Sequence, residues 1–101
     1  MKVKVKNMCP PRSGNPVANQ FKILTSKGIY FQSYKSVVCF IPYDCDALVC
    51  FGNDWDYGRT TMKYLHKFLN DYCVNLPDAK SFKESVKKGI DTGLFRYDPN
   101  L

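Results

Sequence analysis

Asn19–Ile41, NQFKILTSKGIYFQSYKSVVCFI, is the stretch on which the fold turns. Phe21 and Ile23 alternate with Lys22, then Ser26, Lys27 and Gly28 have the composition of a short turn, and Ile29–Tyr34 run back out as aromatic and β-branched residues. A period of two sends successive side chains to opposite faces, so residues 19–25 and 28–34 are expected to be the arms of a β-hairpin. Ser36–Ile41 is a continuous β-branched run, expected as a strand covered on both faces or as an extension of the second arm through a bulge near Lys35. Pro42 ends it.

Outward from the hairpin the pattern stays extended on both sides. Lys2, Lys4 and Lys6 alternate with Val3 and Val5, which predicts a half-buried strand with its ammonium groups on one face. The same lysines fit an edge strand protected from aggregation. A loop rich in Pro, Ser and Gly follows over residues 9–16. Beyond Pro42, a turn bearing Asp44 and Asp46 leads to a strand expected over Ala47–Phe51 and to a polar loop, residues 52–58, containing Trp55 and Tyr57. These connections are too short for crossover helices, so the sheet is expected to have four or five antiparallel strands.

At Thr60 the period changes. Met62, Leu65, Phe68, Leu69 and Tyr72 fall on one helical stripe, with Lys63, His66, Lys67 and Asn70 opposite. After residues 75–78, Ser81 followed by Glu84 matches a capping box, and Phe82, Val86 and Ile90 recur every four residues up to Gly93. Leu94–Tyr97 is expected to add a short strand and residues 98–101 to fray. The fold class is therefore α+β, a single domain over residues 1–101, with one long amphipathic helix packed on the sheet and a shorter C-terminal helix.

With 101 residues and 15 Lys plus Arg against 9 Asp plus Glu, the chain carries a formal charge of +6, and its length excludes a multidomain enzyme. The charge favours contact with an anionic partner. Val37–Ile41 and Ala47–Phe51 are the longest apolar runs, far short of the about 20 residues of a membrane span, so no membrane association is expected. No apolar stretch of signal-peptide length follows the first lysines, which points to the cytoplasm. Five cysteines without a C-x-x-C pair and a single histidine supply neither a zinc site nor a disulfide framework, and no cofactor is expected. Cys39 and Cys50, inside apolar runs, read as small core hydrophobes.

The most distinctive chemistry is in Trp55–Thr61, WDYGRTT, just ahead of the long helix. Free N–H groups, hydroxyls and a guanidinium at a helix start form a place for a phosphate or carboxylate, which makes Trp55, Tyr57, Arg59 and Thr60 candidate partner-binding residues. In a purely structural role Asp56 or Thr60 is the helix N-cap, Gly58 a turn residue, and Trp55 and Tyr57 a lid on the core edge. Lys80, Lys83 and Lys87, spaced by three and four, form a second candidate surface that can follow a phosphate backbone or an acidic groove. Asp44 with Asp46 and Asp54 with Asp56 are the residues a metal-dependent nuclease would use, but no Glu or His accompanies either pair in sequence. His66 lies on the polar helix face, and neither a G-x-S-x-G elbow nor a Gly-rich phosphate loop is present, so no catalytic residue is assigned and no enzymatic activity is expected.

Asn19–Ile41 and Trp55–Leu69 (WDYGRTTMKYLHKFL) resemble a family of small uncharacterised proteins encoded by phages, plasmids and integrated elements of Gram-positive bacteria. The N-Q-F strand, the G-I-Y-F-Q-S-Y hairpin arm and the aromatic-D-Y-x-R-T-T-x-K-Y-x-x-x-F-L helix entry carry the resemblance. It implies a mobile-DNA setting in the cytoplasm of a bacterial host and brings no catalytic residues with it. By analogy with other mobile-element proteins of this size, it implies a stoichiometric inhibitor of a host nucleic-acid-targeting defence complex, of the anti-CRISPR type. The expected partner is then a host protein or ribonucleoprotein, contacted at guide RNA, bound DNA or an acidic patch. A small basic DNA- or RNA-binding accessory protein is the alternative.

Overall fold

The structure, a computed structural model, describes residues 3–8, 18–44 and 46–101. Lys2, the loop expected over residues 9–16, and Cys45 lie outside them. The elements run β1 (Lys4–Asn7), β2 (Gln20–Leu24), β3 (Gly28–Ser33), β4 (Ser36–Pro42), β5 (Cys50–Phe51), α1 (Arg59–Asp71), α2 (Phe82–Asp91) and β6 (Arg96–Tyr97). The α+β class holds, but among the described residues the sheet has six strands, in the order β1-β2-β3-β4-β5-β6. All neighbours are antiparallel except β5 and β6, which pair in parallel. A parallel pair needs a long crossover, and the two helices between Phe51 and Arg96 supply it. The strand expected over Ala47–Phe51 is only Cys50–Phe51.

The hairpin forms where expected. At its turn Thr25 Oγ1 accepts the Lys27 and Gly28 N–H groups and donates to the Gly28 carbonyl. A Cβ at Gly28 would clash with the Ile41 carbonyl oxygen, so only glycine lets β3 and β4 approach this closely. Tyr34, with φ of 54°, and Lys35 turn the chain from Ser33 to Ser36. The bulge is not near Lys35. Phe31 pairs with Cys39 and Gln32 with Val37, so the additional residue is Val38. Val38 and Cys39 are both fully buried, two core residues gained from consecutive positions.

One sheet face carries the core. Ile29, Phe31, Cys39 and Phe51 pack there with Leu65, Phe68 and Leu69 of α1, Val86 of α2 and Phe95. The Phe31 and Phe68 rings stack with centroids 5.5 Å apart. α1 buries Thr61, Tyr64, Leu65, Phe68 and Leu69, while Met62 is half-buried, so its inner stripe is rotated from the expected one. The rotation follows from packing: Thr61 and Tyr64 sit where the sheet is, and a hydroxyl at 61 finds a partner across the interface. Phe21, Ile23, Tyr30 and Phe40 occupy the opposite sheet face, outside that core, with the Tyr30 and Phe40 rings 4.4 Å apart.

Two more expectations change. β1 is not half-buried: Val3 and Val5 are 54% and 61% exposed, because β1 is the outermost strand among the described residues and Val5 lies on its face away from the helices. The C-terminal tail is folded in rather than frayed. The Leu101 N–H bonds to the Asp98 carbonyl, and the Leu101 side chain lies beside Gly52. No helix among the described residues is long and apolar enough to cross a membrane.

Candidate functional site: a cleft at the amino end of α1

The β3–β4 turn folds over the start of α1, and a cleft of about 710 Å³ opens between them. Its walls are Asn19 and Ser33–Ser36 with Val38 on the sheet side, and Asp54 and Tyr57–Thr61 on the helix side. Ser33 and Thr61, both buried, join the two sides through a hydroxyl–hydroxyl hydrogen bond of 2.8 Å. Tyr34 and Tyr57, 52% and 79% exposed, belong to the opposite walls.

The N-cap of α1 is Gly58, in extended conformation, and no side chain caps the helix. This corrects the expectation that Asp56 or Thr60 does so. Asp56 is drawn away by Lys83, whose Nζ lies 3.6 Å from its Oδ2, and Thr60 is already inside the helix as an exposed residue. The first helical bond runs from the Met62 N–H to the Gly58 carbonyl. The N–H groups of Arg59, Thr60 and Thr61 therefore have no carbonyl acceptor within the helix. The first turn contains no acidic residue, and Arg59 and Lys35 line the same space as the positive end of the helix dipole. Asp54, the carboxylate in the wall, accepts a 2.7 Å hydrogen bond from the Ser36 hydroxyl.

Of the residues singled out from sequence, Tyr57, Arg59 and Thr60 line the cleft. Trp55 does not. It is 5% exposed and its ring meets Phe51 edge-on at 6.1 Å, so it anchors the loop to the core. Lys80, Lys83 and Lys87 are exposed as expected, but away from the cleft, and Lys83 is engaged with Asp56. Lys83 and Arg59 border a second, shallower groove of about 300 Å³ that also includes Lys63, His66 and Phe82. There the His66 imidazole stacks on the Phe82 ring at 4.6 Å.

Asn19, Ser33, Lys35 and Ser36 are site residues that sequence reasoning missed. The sequence reading places a bulge near Lys35 where the structure has a turn at Tyr34 and Lys35, and nothing local says which later element that turn meets. The Asp-x-Asp pairs show no metal-binding arrangement: Asp44 Oδ1 accepts the Asp46 N–H, Asp54 is bonded to Ser36, and Asp56 to Lys83. Among the described residues no group of three His, Cys, Asp or Glu is placed to hold a metal ion. Burial raises the Cys39 thiol well above its usual range, with the nearby Cys50 adding to the effect. Burial raises Cys50 too, against the opposing pull of Arg96.

Residues 3–85 match a family of unknown function, DUF8033. The chain belongs to that family. The DUF8033 region contains β1 to β5, all of α1 and every residue lining the cleft. No curated protein and no solved structure matches the chain.

Proposed function

We propose that this protein is a non-enzymatic binding protein whose cleft at the amino end of α1 seats an anionic group of its partner. One observation carries the reading. An uncapped helix start, Arg59 and Lys35 converge on one concavity floored by the Ser33 and Thr61 hydroxyls. Backbone N–H donors with a helix dipole and two cations suit a phosphate or carboxylate. In the mobile-element setting that the sequence resemblance implies, the partner is a host nucleic-acid-targeting complex and the protein acts stoichiometrically as its inhibitor.

Direct binding of DNA or RNA is the second reading. It is favoured by the exposed Tyr34 and Tyr57 rings on the cleft walls, which offer stacking surfaces beside the cations. A pull-down from bacterial lysate with the tagged protein, with and without nuclease, separates the two. A protein retained after nuclease treatment and released by Arg59→Ala supports the first reading. Capture abolished by nuclease supports the second, and capture indifferent to both Arg59→Ala and Lys35→Glu refutes the cleft as the site.

A further inference from the structure

We infer that the cleft takes a nucleotide, free or as one unit of a strand, with its phosphate at the start of α1 and its base against the cleft tyrosines. This rests on the reading of the cleft as an anion site and names the rest of the ligand. A space of about 710 Å³ falls within the roughly 300–1,000 Å³ of small-molecule sites, more than a phosphate or carboxylate alone fills. The groups around the remaining space select among larger anions. Asp54 is the carboxylate in the wall, with its Oδ2 held by the Ser36 hydroxyl at 2.7 Å. It repels a ligand that is anionic throughout and accepts from one that also carries O–H or N–H groups, as ribose and the bases do. Tyr34 and Tyr57, exposed on opposite walls, offer rings on which a base of any identity can stack.

The floor of the cleft adds an independent observation. Gln20 is fully buried, and neither its amide nitrogen nor its amide oxygen has a hydrogen-bond partner among the described residues. Such a group in a folded interior calls for a partner. Gln20 stands directly opposite Ser33 in the β2–β3 ladder. The Tyr34 N–H bonds to the Asn19 carbonyl and the Met8 N–H to the Gln20 carbonyl, each at 2.7 Å, so Gln20 and Ser33 are a non-hydrogen-bonded pair. The Cβ atoms of such pairs lie about 4.5–5.5 Å apart on one face of the sheet. The amide therefore sits one side chain behind the floor. Ser33 is spent on Thr61 at 2.8 Å, a bond that uses one of the two hydroxyl protons. A ligand group that takes the Thr61 hydroxyl frees Ser33 to turn to Gln20, so the buried amide gains its partner when the cleft is filled.

The same groups decide against a phosphorylated side chain of a protein. A phosphoserine fills the anion end but brings no ring to Tyr34 and Tyr57. A phosphotyrosine brings a ring whose edge has neither donor nor acceptor for Thr61 and Asp54.

The test is titration calorimetry with the four nucleoside 5′-monophosphates, adenosine, phenyl phosphate, inorganic phosphate and a 5′-phosphorylated RNA hexanucleotide. The best mononucleotide or the hexanucleotide should bind at least tenfold more tightly than inorganic phosphate, phenyl phosphate or adenosine. A hexanucleotide at least tenfold tighter than every mononucleotide assigns the site to a strand, and comparable affinities assign it to the free nucleotide. Tyr57→Ala should weaken the nucleotide at least threefold and leave inorganic phosphate unchanged. Asp54→Asn, which can still accept the Ser36 proton, should weaken the nucleotide by a similar factor and bind inorganic phosphate as tightly or more tightly, whereas a general disturbance of the site weakens both. Gln20→Leu should melt at or above the wild-type temperature, since it removes an unpaired amide, and bind the nucleotide at least threefold more weakly. Nucleotide affinity unaltered in these three variants would overturn the inference. Inorganic phosphate or phenyl phosphate bound as tightly as the best nucleotide would overturn it and leave the anion site standing. No saturable binding of any nucleotide or of the hexanucleotide would overturn it as well, and a nuclease-resistant partner lost from lysate capture in Arg59→Ala would then still support the anion site.

Discussion

Gly58→Asp should raise the stability of this protein and lower its affinity for anions. Gly58 is the N-cap of α1 with φ of −174°, an extended geometry open to any residue, and a Cβ there meets nothing within 4 Å. An aspartate supplies the missing cap, worth a few tenths of a kcal/mol over glycine. Its charge at the helix start adds about 0.3–1 kcal/mol, since the first turn contains no other acid. The sum, about 0.5–1.3 kcal/mol, corresponds to a rise of about 2–10 °C in the melting temperature of a domain this size. The same carboxylate takes up the N–H groups of the first turn and repels whatever anion approaches Arg59 and Lys35. Thermal unfolding followed by circular dichroism, with inorganic phosphate titrated at constant ionic strength, reads both effects. Phosphate at ten times its Kd should stabilise the wild-type protein by about 1.4 kcal/mol, and in the variant that increment should largely disappear. A variant that melts higher yet responds to phosphate as the wild type does would refute the placement of the anion at the helix start. A wild-type protein indifferent to phosphate would remove phosphate from the ligands of the cleft.

Further expectations concern the site, the core and the thiols. Arg59→Ala should leave the melting temperature nearly unchanged, because the residue is exposed, and weaken partner capture about tenfold or more. Thr60→Ala should be close to neutral in stability, since Gly58 and not Thr60 caps the helix, and a loss of about 1 kcal/mol in denaturant unfolding would restore the capping role. Gly89→Ala should destabilise despite a helix-propensity gain of about 1 kcal/mol. The new Cβ would clash with Phe95 Cδ2, and that ring is buried against Phe51 with centroids 5.1 Å apart, so overpacking of about 1–3 kcal/mol opposes the gain; a melting temperature above wild type would show that the ring yields freely. Stability should also fall as the pH rises past the free-thiol range of about 8.5–9, where unfolded Cys39 ionises while the folded, buried thiol retains its proton. The unfolded state then binds fewer protons, which makes the slope negative, and Cys39→Ala should flatten it in pH-dependent urea unfolding.

Local sequence determined much of the architecture because its signals are local in origin. The alternation of Phe21, Lys22 and Ile23 around the Ser26–Gly28 turn makes a hairpin wherever it occurs, and Ser81 caps α2 by accepting the Glu84 N–H three residues on. The basic charge, the exposed lysines on α2 and the presence of Tyr57, Arg59 and Thr60 at a helix entry were legible on the same terms. Tertiary structure decided the rest, because each remaining choice is a competition between groups distant in the chain. Lys83 claims Asp56, Ser36 claims Asp54 and Thr60 lies inside the helix, so the cap that sequence assigns to Asp56 or Thr60 falls to a glycine and no side chain caps the start of α1. The Ser33–Thr61 hydrogen bond spans 28 residues and sets both the rotation of α1 and the floor of the cleft. The slip at Val38 and the parallel docking of β6 beside β5 likewise follow from filling one shared core, which no window of sequence contains.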